Sequence, residues 1–154
     1  MSVQIRPIAG DNDIKIAKDL VIDFVKALPV DVDFQGIHGE LESFPSSFDT
    51  VLVAENDKEI IGTVALKDLR HIQDGACEMK RMYIKPEGRG TGAGKLLALA
   101  LLKEAKKRGY TSMLLDTLAR LEAAVGLYEH IGFKRRTAYY DNPIEDVIYM
   151  EKTL

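Results

Sequence analysis

Residues 81 to 97 read Arg-Met-Tyr-Ile-Lys-Pro-Glu-Gly-Arg-Gly-Thr-Gly-Ala-Gly-Lys-Leu-Leu. A short apolar stretch ends at Pro86, and four glycines then follow at positions 88, 90, 92 and 94. Glycine lets backbone N–H groups approach a ligand closely, and the helix predicted directly after the loop adds its unpaired N-terminal donors and positive dipole end. A strand, a glycine-rich turn and a helix N-terminus together predict a binding site for a phosphate or pyrophosphate.

Three known motifs compete for this loop. The nucleotide P-loop, G-x-x-x-x-G-K-[ST], does not fit, because Arg89 stands where its first glycine belongs and Leu96 replaces the hydroxyl residue that would hold magnesium. The dinucleotide fingerprint G-x-G-x-x-G/A is met by Gly88, Gly90 and Ala93. Asp116 follows at about the right separation for a ribose contact. Glycine-dense loops meet this fingerprint by chance, so a dinucleotide-binding oxidoreductase remains only an alternative function.

The third motif, R/Q-x-x-G-x-G/A, is filled by Arg89, Gly92 and Gly94. A second block follows at residues 124 to 133, Ala-Val-Gly-Leu-Tyr-Glu-His-Ile-Gly-Phe, and is similar to the pattern A-x-x-L-Y-E-x-x-G-F. The two blocks, in their order and spacing, resemble the GNAT superfamily of acetyl-CoA-dependent N-acetyltransferases. The resemblance extends over essentially the whole chain, including the strand that enters the loop at residues 82 to 86.

Composition agrees with this resemblance. At 154 residues and 46% hydrophobic content, the chain is expected to form a single domain over residues 1–154 with a substantial core. The formal charge of −3 does not indicate the basic surface that binds nucleic acid. No apolar run approaches the ~18 residues of a membrane span. The single cysteine, Cys77, and a start without a signal-peptide core favour a cytoplasmic protein. His38, His71 and His130 stand apart in the sequence, so no metal site is expected.

The hydrophobic pattern predicts elements in the order β-α-α-β-β-β-α-β-α-β-β. Residues 13–28 carry apolar side chains at helical spacing, and residues 50–54 and 60–66 alternate as a hairpin. Ala76–Ile84 is predicted as the strand before the glycine loop, and residues 133–139 as the first of two final strands. This order predicts an α+β domain with a mixed, mostly antiparallel central sheet and flanking helices. It is the order expected of the GNAT (acyl-CoA N-acyltransferase) fold.

The resemblance implies an enzyme that moves an acetyl group from acetyl-CoA, its co-substrate, to a primary amine by direct attack. The acceptor would be a small molecule or a peptide, and homodimers are common in the superfamily. In the superfamily the pyrophosphate binds the glycine loop, which implies contacts from Arg89, Gly90, Thr91, Gly92, Ala93, Gly94 and Lys95. The pantetheine arm pairs with the strand before the loop, and one backbone amide there faces the thioester oxygen. This implies contacts from Met82, Tyr83 and Ile84.

Glu78 is the candidate general base, which the amine needs because it must lose a proton before it can attack. Glutamate is depleted in strand interiors, yet Glu78 falls within a predicted strand, where simple alternation places it on one face with Lys80, Met82 and Ile84. GNAT histone acetyltransferases use a glutamate four residues before the amide-donor position, and Glu78 has that spacing to Met82. The alternative is a partly exposed strand carboxylate that pairs with Lys80 or another cation.

Tyr128 corresponds to the tyrosine of the L-Y-E block, which protonates the departing sulfur in the family. A phenol pKa near ~10 is close enough to a thiol pKa near ~8.5 for this proton transfer. The alternative is a purely structural role, because Tyr128 also falls on the apolar stripe of its helix. Many family members carry asparagine seven residues before this tyrosine, where this chain has Leu121, and Thr117 or Glu122 would have to replace that contact.

Phe34, Gln35, Tyr139 and Tyr140 fall in segments that flank the acceptor pocket in the superfamily. Cys77 neighbours Glu78 but is predicted to point to the opposite strand face, as a buried small hydrophobe rather than an acyl-carrying nucleophile. A non-catalytic acyl-CoA-binding or sensing domain of the same fold is the second alternative function. The acceptor amine cannot be identified from these residues.

Overall fold

The computed structural model describes residues 2–31 and 36–154. The strands within them are β1 (Val3–Pro7), β2 (Thr50–Asn56), β3 (Glu59–Asp68), β4 (Ala76–Ile84), β5 (Ser112–Leu118), β6 (Lys134–Arg136) and β7 (Val147–Thr153). The helices are α1 (Gly10–Ala27), α2 (Ile37–Ser43), α3 (Ala93–Lys107) and α4 (Glu122–His130), with a 3-10 turn at Pro86–Gly88. Phe34 and Gln35, expected near the acceptor, lie outside the described residues.

The described strands form one sheet in the order β1-β2-β3-β4-β5-β7-β6. Neighbouring strands are antiparallel except β4 and β5, which are parallel. A parallel pair needs a long crossover, and the glycine loop with α3 provides it. The element order and the mixed, mostly antiparallel sheet confirm the predicted fold class.

Helices cover both faces of the sheet. On one face, α3 and α4 bury a core that includes Leu97, Leu101 and Tyr128. On the other face, α1 and α2 bury a second core that includes Leu20 and Ile37. Each fully buried aliphatic side chain contributes roughly 1.5–3 kcal/mol relative to an exposed one, so both layers hold the sheet in place. Residues at the middle strands therefore have a fixed backbone on which a site can be built.

A β-bulge interrupts β4 at Arg81. Its neighbour β3 pairs Thr63 with Tyr83 but Ala65 with Lys80, so one extra residue of β4 is accommodated between these pairs. Arg81 adopts a left-handed backbone conformation with φ 57°. Its buried guanidinium donates hydrogen bonds of 2.8 Å to both carboxylate oxygens of Glu40 in α2. A buried ion pair to another element thus holds the strained residue in place.

The bulge corrects one prediction about β4. Simple alternation predicted that Glu78 and Lys80 share a face with Met82 and Ile84. Instead Met82 and Ile84 pack against the α3 core, the face on which Cys77 and Met79 are buried. The extra residue reverses the alternation after Lys80, because each strand residue normally turns to the opposite face from the one before it.

The strand predicted over residues 133–139 is also shorter than expected. Strand β6 covers only Lys134–Arg136. Beyond it, Tyr139 and Tyr140 direct their hydroxyls to Glu78 on β4 and Asp116 on β5. These two side-chain contacts draw the chain away from β7 and toward the centre of the sheet.

Candidate active site

The central feature of the site is a fork between β4 and β5. The two strands pair only at Ala76↔Ser112, Cys77↔Met113 and Glu78↔Leu114. Beyond these pairs the strands separate and enclose a cleft of about 740 Å³. Residues from both separated strand ends line it, along with the start of α4 and the region after α1. Because β4 is unpaired along this edge, its backbone amides and carbonyls can bind an extended ligand arm.

The glycine loop connects the end of β4 to α3. Gly90 and Gly92 adopt φ values of 82° and 83°, a region that other residues rarely occupy, and a Cβ on either would meet nothing within 4 Å. Gly92 is the N-cap of α3 and offers no capping side chain. Thr91 Oγ1 donates to Gly88 O at 2.6 Å and accepts from the Ala93 amide at 3.3 Å, so it braces the loop. The outer face of the loop is therefore open to an anion at the helix N-terminus.

Arg89 and Lys95 are the cations beside this loop. Arg89 lines the cleft, donates from Nε to Ile84 O at 3.3 Å, and places its guanidinium 5.9 Å from the centre of the Tyr83 ring. Lys95 is exposed in the first turn of α3, with its ammonium 3.4 Å from Nε2 of His130. The structure thus brings the loop, Arg89 and the edge of β4 together around one end of the cleft.

The predicted cofactor-binding residues divide into two groups by position. Those that line the cleft are Met82, Tyr83, Ile84, Arg89 and Gly94. The others lie in the loop between Arg89 and Gly94 or directly after Gly94. They are Gly90, Thr91, Gly92, Ala93 and Lys95. An elongated ligand with an anionic centre fits this division, because its anion can meet the loop while a flexible arm follows β4. The residues present therefore suit coenzyme A.

Tyr128 on α4 lines the same cleft. Its ring is buried against the α3 core and contacts Phe133 edge to face, with ring centres 6.0 Å apart. Within residues 2–31 and 36–154 no hydrogen bond joins the Tyr128 hydroxyl to another residue, and its oxygen is not among the fully enclosed atoms without a partner, so it is open to the cleft. Burial, followed by the charge of Asp116, raises the pKa of Tyr128 to about 12. The phenol therefore stays protonated at neutral pH, as a proton donor must, but it is a weaker acid than the sequence argument assumed.

Leu121 occupies the N-cap position of α4, and no side chain makes a capping hydrogen bond there. Leu121, Thr117 and Glu122 all line the cleft. The two polar residues expected to replace the family's asparagine are therefore placed at the cleft. Glu122 also lies in the first turn of α4, where a carboxylate is favourable to the helix dipole.

Glu78 and Tyr139, both predicted as site residues, are in direct contact. The Tyr139 hydroxyl donates a hydrogen bond of 2.5 Å to Glu78 Oε2. Lys80 Nζ lies 3.7 Å from the other carboxylate oxygen, Oε1. Burial, followed by the charges of Glu78 and Asp116, raises the pKa of Tyr139. The predicted pairing of Glu78 with Lys80 is thus present, and a tyrosine that the sequence did not connect to Glu78 completes the cluster.

Glu78 does not line the main cleft. It lines a smaller cavity of about 190 Å³, together with Tyr139, Tyr140 and His71. Strand alternation places Glu78 on the opposite face of β4 from Cys77, as predicted. Cys77 is buried, its thiol donates to Ser112 O at 3.4 Å, and burial raises its pKa to about 12. A thiolate at Cys77 is therefore strongly disfavoured, which agrees with its predicted role as packing.

Asp116 and Tyr140 form a polar cluster that the sequence did not predict. Asp116 follows the last paired residue of β5 by two positions and lines the cleft. Its carboxylate accepts hydrogen bonds from the Tyr140 hydroxyl and from Asn142 Nδ2. The sequence indicates Asp116 only as a ribose contact, because its hydrogen bond with Tyr140 depends on how distant parts of the chain fold.

No group of three or more His, Cys, Asp or Glu side chains in the described part of the chain could hold a metal ion. Among the same residues, no helix is long and apolar enough to cross a membrane.

Comparison with known proteins gives consistent results. The model of the acetyltransferase (GNAT) family matches residues 18–133. An uncharacterized N-acetyltransferase of Schizosaccharomyces pombe is 36% identical over 97% of this chain and 93% of its own. Other curated relatives match 51–64% of this chain and 37–49% of their own lengths.

Solved structures resemble the fold over nearly its full length. A candidate acyl-CoA N-acyltransferase of Klebsiella pneumoniae is 27% identical, with a TM-score of 0.76 and coverage of 99% of this chain and 97% of its own. A candidate acetyltransferase of Salmonella typhimurium, YncA, with its cofactor acetyl-CoA, has a TM-score of 0.76 at 20% identity, covering 99% of this chain and 94% of its own. The family model covers most of the chain, and the forked sheet with its glycine loop agrees with it, so the chain belongs to the acetyltransferase (GNAT) family.

Proposed function

We propose that this protein is an N-acetyltransferase that moves an acetyl group from acetyl-CoA to a primary amine of a small molecule or peptide, by direct attack. We also propose that residues 1–154 form one acetyltransferase domain. The observation that carries the proposal is that a single cleft joins the unpaired edge of β4, the ends of the glycine loop and the side chain of Tyr128. A phosphate-binding loop alone would suit many ligands, but the unpaired strand edge suits one with a long polar arm.

Acetyl-CoA, when bound, supplies an acetyl group activated as a thioester. In this proposal the loop from Arg89 to Lys95 holds the pyrophosphate through its backbone donors and the start of α3. Met82, Tyr83 and Ile84 offer the backbone of β4 to the pantetheine arm, and one of their amides donates to the thioester oxygen as it gains charge. Such preorganised donors act strongly because they need no reorganisation as the charge develops.

Two side chains carry the proton transfers of the proposed reaction. Glu78 belongs to the basic group that frees the amine from its proton, either as the base itself or through its neighbour Lys80. Tyr128 donates its phenolic proton to the leaving sulfur, and its raised pKa keeps that proton available at neutral pH. The raised pKa also requires that proton donation accompanies the departure of the sulfur, because a thiolate in water is too weak a base to take a proton from such a phenol.

Phe34, Gln35 and Tyr139 stay candidates for the acceptor side. Tyr139 is placed beside Glu78, so its substitution would affect the acid–base cluster as well as any substrate contact. The neighbouring cluster of Asp116, Tyr140 and Asn142 lines or borders the cleft and adds a carboxylate that can attract an ammonium group.

Ligand-dependent melting and turnover test the proposal together. CoA present at a hundredfold excess over its Kd should stabilise the fold by about 2.7 kcal/mol, whereas NADH should leave it unchanged. Acetyl-CoA with a panel of primary amines should then release free thiol for at least one amine. A melting shift with NADH and none with CoA would contradict the proposal. A CoA shift without amine-dependent thiol release would instead favour a non-catalytic acyl-CoA-binding domain.

A further inference from the structure

Lys80 connects the two cavities of the site. Among the described residues it alone lines both the main cleft and the smaller cavity beside Glu78. It lies on β4 immediately before the bulge at Arg81, and its side chain is 9% exposed. Glu78 has access only to the smaller cavity, so Lys80 lies between the carboxylate and the cleft in which the amine would react.

The contacts of the Lys80 ammonium offset little of the free-energy cost of removing its charge from water. Its nearest carboxylate oxygen, Glu78 Oε1, is 3.7 Å away, which is beyond hydrogen-bond distance, while Glu78 Oε2 accepts from Tyr139. Charged groups reach it from three strands. They are Glu78 and Arg81 on β4, Asp116 on β5 and Lys67 on β3. The smaller cavity that Lys80 lines is also bordered by His71, Tyr139, Tyr140 and Asp141.

The balance of these effects lowers the pKa of Lys80, so the neutral amine forms more easily than in an exposed lysine. Burial lowers the pKa of Lys80 most strongly, Arg81 and Lys67 lower it further, and the charges of Glu78 and Asp116 oppose the shift. A lysine in such surroundings exchanges its proton more readily than an exposed one, which is why buried lysines serve as general bases. Once protonated, Lys80 would still have the two carboxylates nearby to stabilise its charge.

We propose that Lys80 is the residue that takes the proton from the acceptor amine, with Glu78 positioning it and stabilising its protonated form. This inference rests on the proposed acetyl transfer. The acceptor ammonium gives one proton to neutral Lys80, and the free amine forms the new C–N bond as the C–S bond of the thioester breaks. The second proton lost by nitrogen is balanced by the proton that the sulfur gains. The proton on Lys80 leaves to solvent through the smaller cavity, which restores the neutral amine.

The variant Lys80→Arg tests whether Lys80 acts as a base or only as a positive charge. Arg keeps the positive charge and much of the length, but its guanidinium does not lose a proton in proteins. The rate of acetyl transfer in a single turnover should fall by about 10²-fold or more at neutral pH in Lys80→Arg and in Lys80→Met. Lys106→Met is the control for the loss of a lysine, because Lys106 is exposed in the last turn of α3 and lines neither cavity. It should keep close to the wild-type rate.

The pH dependence of the rate ratio makes the test sharper. Dividing each variant's rate by the wild-type rate with the same amine cancels the ionisation of the acceptor. At low pH wild-type Lys80 is protonated and cannot act as a base, so the ratio should approach one. As pH rises through the pKa of Lys80, the wild type gains its base and the ratio should fall to its minimum. A flat ratio near one for Lys80→Arg would overturn the inference.

Two controls distinguish the loss of a base at Lys80 from misfolding and from failure of the proposed function. CoA-induced melting shifts show whether each variant folds and binds its co-substrate. If Lys80→Met unfolds because Glu78 loses its cationic neighbour, Lys80→Arg carries the comparison alone. If wild-type protein transfers acetyl to no amine, the proposed function fails. Wild-type turnover with an unaffected Lys80→Arg would overturn only the role of Lys80.

Discussion

The Tyr139 hydroxyl donates a hydrogen bond of 2.5 Å to Oε2 of the buried Glu78 carboxylate, and this contact joins the segment between β6 and β7 to the middle of the sheet. It explains why the segment after β6 leaves the sheet. It also means that Glu78 is held in one orientation, with its second oxygen directed toward Lys80. A fixed carboxylate next to a buried amine is the arrangement on which the proposed acid–base chemistry depends.

Glu78→Gln should lower the rate of acetyl transfer at neutral pH by about 10²–10⁴-fold and leave CoA affinity nearly unchanged. The amide keeps the size of the side chain and can still accept from Tyr139, but it has no negative charge. It can therefore not stabilise protonated Lys80, nor serve as the base if Glu78 rather than Lys80 takes the proton. Single-turnover rates and CoA titrations measure the two quantities separately.

Tyr139→Phe is the companion variant for Glu78. It removes the hydrogen bond but keeps the carboxylate, so its loss of rate should be smaller than that of Glu78→Gln. A wild-type rate in Glu78→Gln would show that the carboxylate is structural or that water takes its place.

Tyr128→Phe should slow the chemical step with little change in apparent amine affinity. The lost interaction forms mainly as charge reaches the sulfur, so the rate constant should fall more than binding. The free energy of unfolding should change little, because the Tyr128 hydroxyl has no protein partner among the described residues and the ring still fills the α4 stripe. A single-turnover assay, which excludes product release, measures the step.

Tyr110→Phe is the matched control for Tyr128. Its hydroxyl donates to Asp49 instead of facing the cleft, so this variant should lose stability and keep the rate. An unchanged chemical step in Tyr128→Phe would leave Tyr128 as packing only.

Gly92→Val should abolish the CoA-dependent rise in Tm. The branched side chain would stand on the open face of the glycine loop and block the backbone from a phosphate. The backbone of Gly92 has a left-handed φ of 83°, which valine rarely adopts, so the free energy of unfolding without ligand should fall as well. Gly10→Val controls for this backbone cost, since Gly10 has φ 82° and equally open surroundings. That variant should lose stability but keep the CoA shift, and a retained shift in Gly92→Val would argue against this loop as the binding site.

Glu40→Ala should destabilise the fold by about 3 kcal/mol, because it removes the carboxylate that pairs with the buried Arg81 at the bulge. Denaturant unfolding measures the loss. Glu104→Ala is the control, since the Glu104–Arg108 pair is exposed on α3 and should contribute less than about 0.5 kcal/mol. Equal losses in the two variants would contradict the importance assigned to the Glu40–Arg81 pair.

The features predictable from the sequence were those that depend on local patterns. The glycine loop, the helix that follows it and the order of the elements were predicted correctly, because glycine spacing and apolar periodicity act over a few residues. The bulge at Arg81 was not predictable, since it depends on an ion pair with Glu40 from a distant element. The reversal of side-chain alternation at Met82 and Ile84 follows from that bulge.

The same distinction applies to the site. The motif residues indicated Tyr128 and the loop directly, and the structure places both at the cleft. The contact of Tyr139 with Glu78, and that of Tyr140 with Asp116, joins residues separated by 61 and 24 positions. Lys80 carries no motif at all, and its position between two cavities emerges only from the packing of strands around it.

Acetyl-CoA carrying an isotopic label in its acetyl group tests the central claim most directly. The protein is incubated with labelled acetyl-CoA and a panel of primary amines, and both free thiol and labelled product are quantified. The proposed function predicts that at least one amine becomes N-acetylated in an amount equal to the thiol released, at a rate that Tyr128→Phe and Glu78→Gln reduce. Thiol release that is the same with and without every amine, in protein that CoA still stabilises, would contradict it.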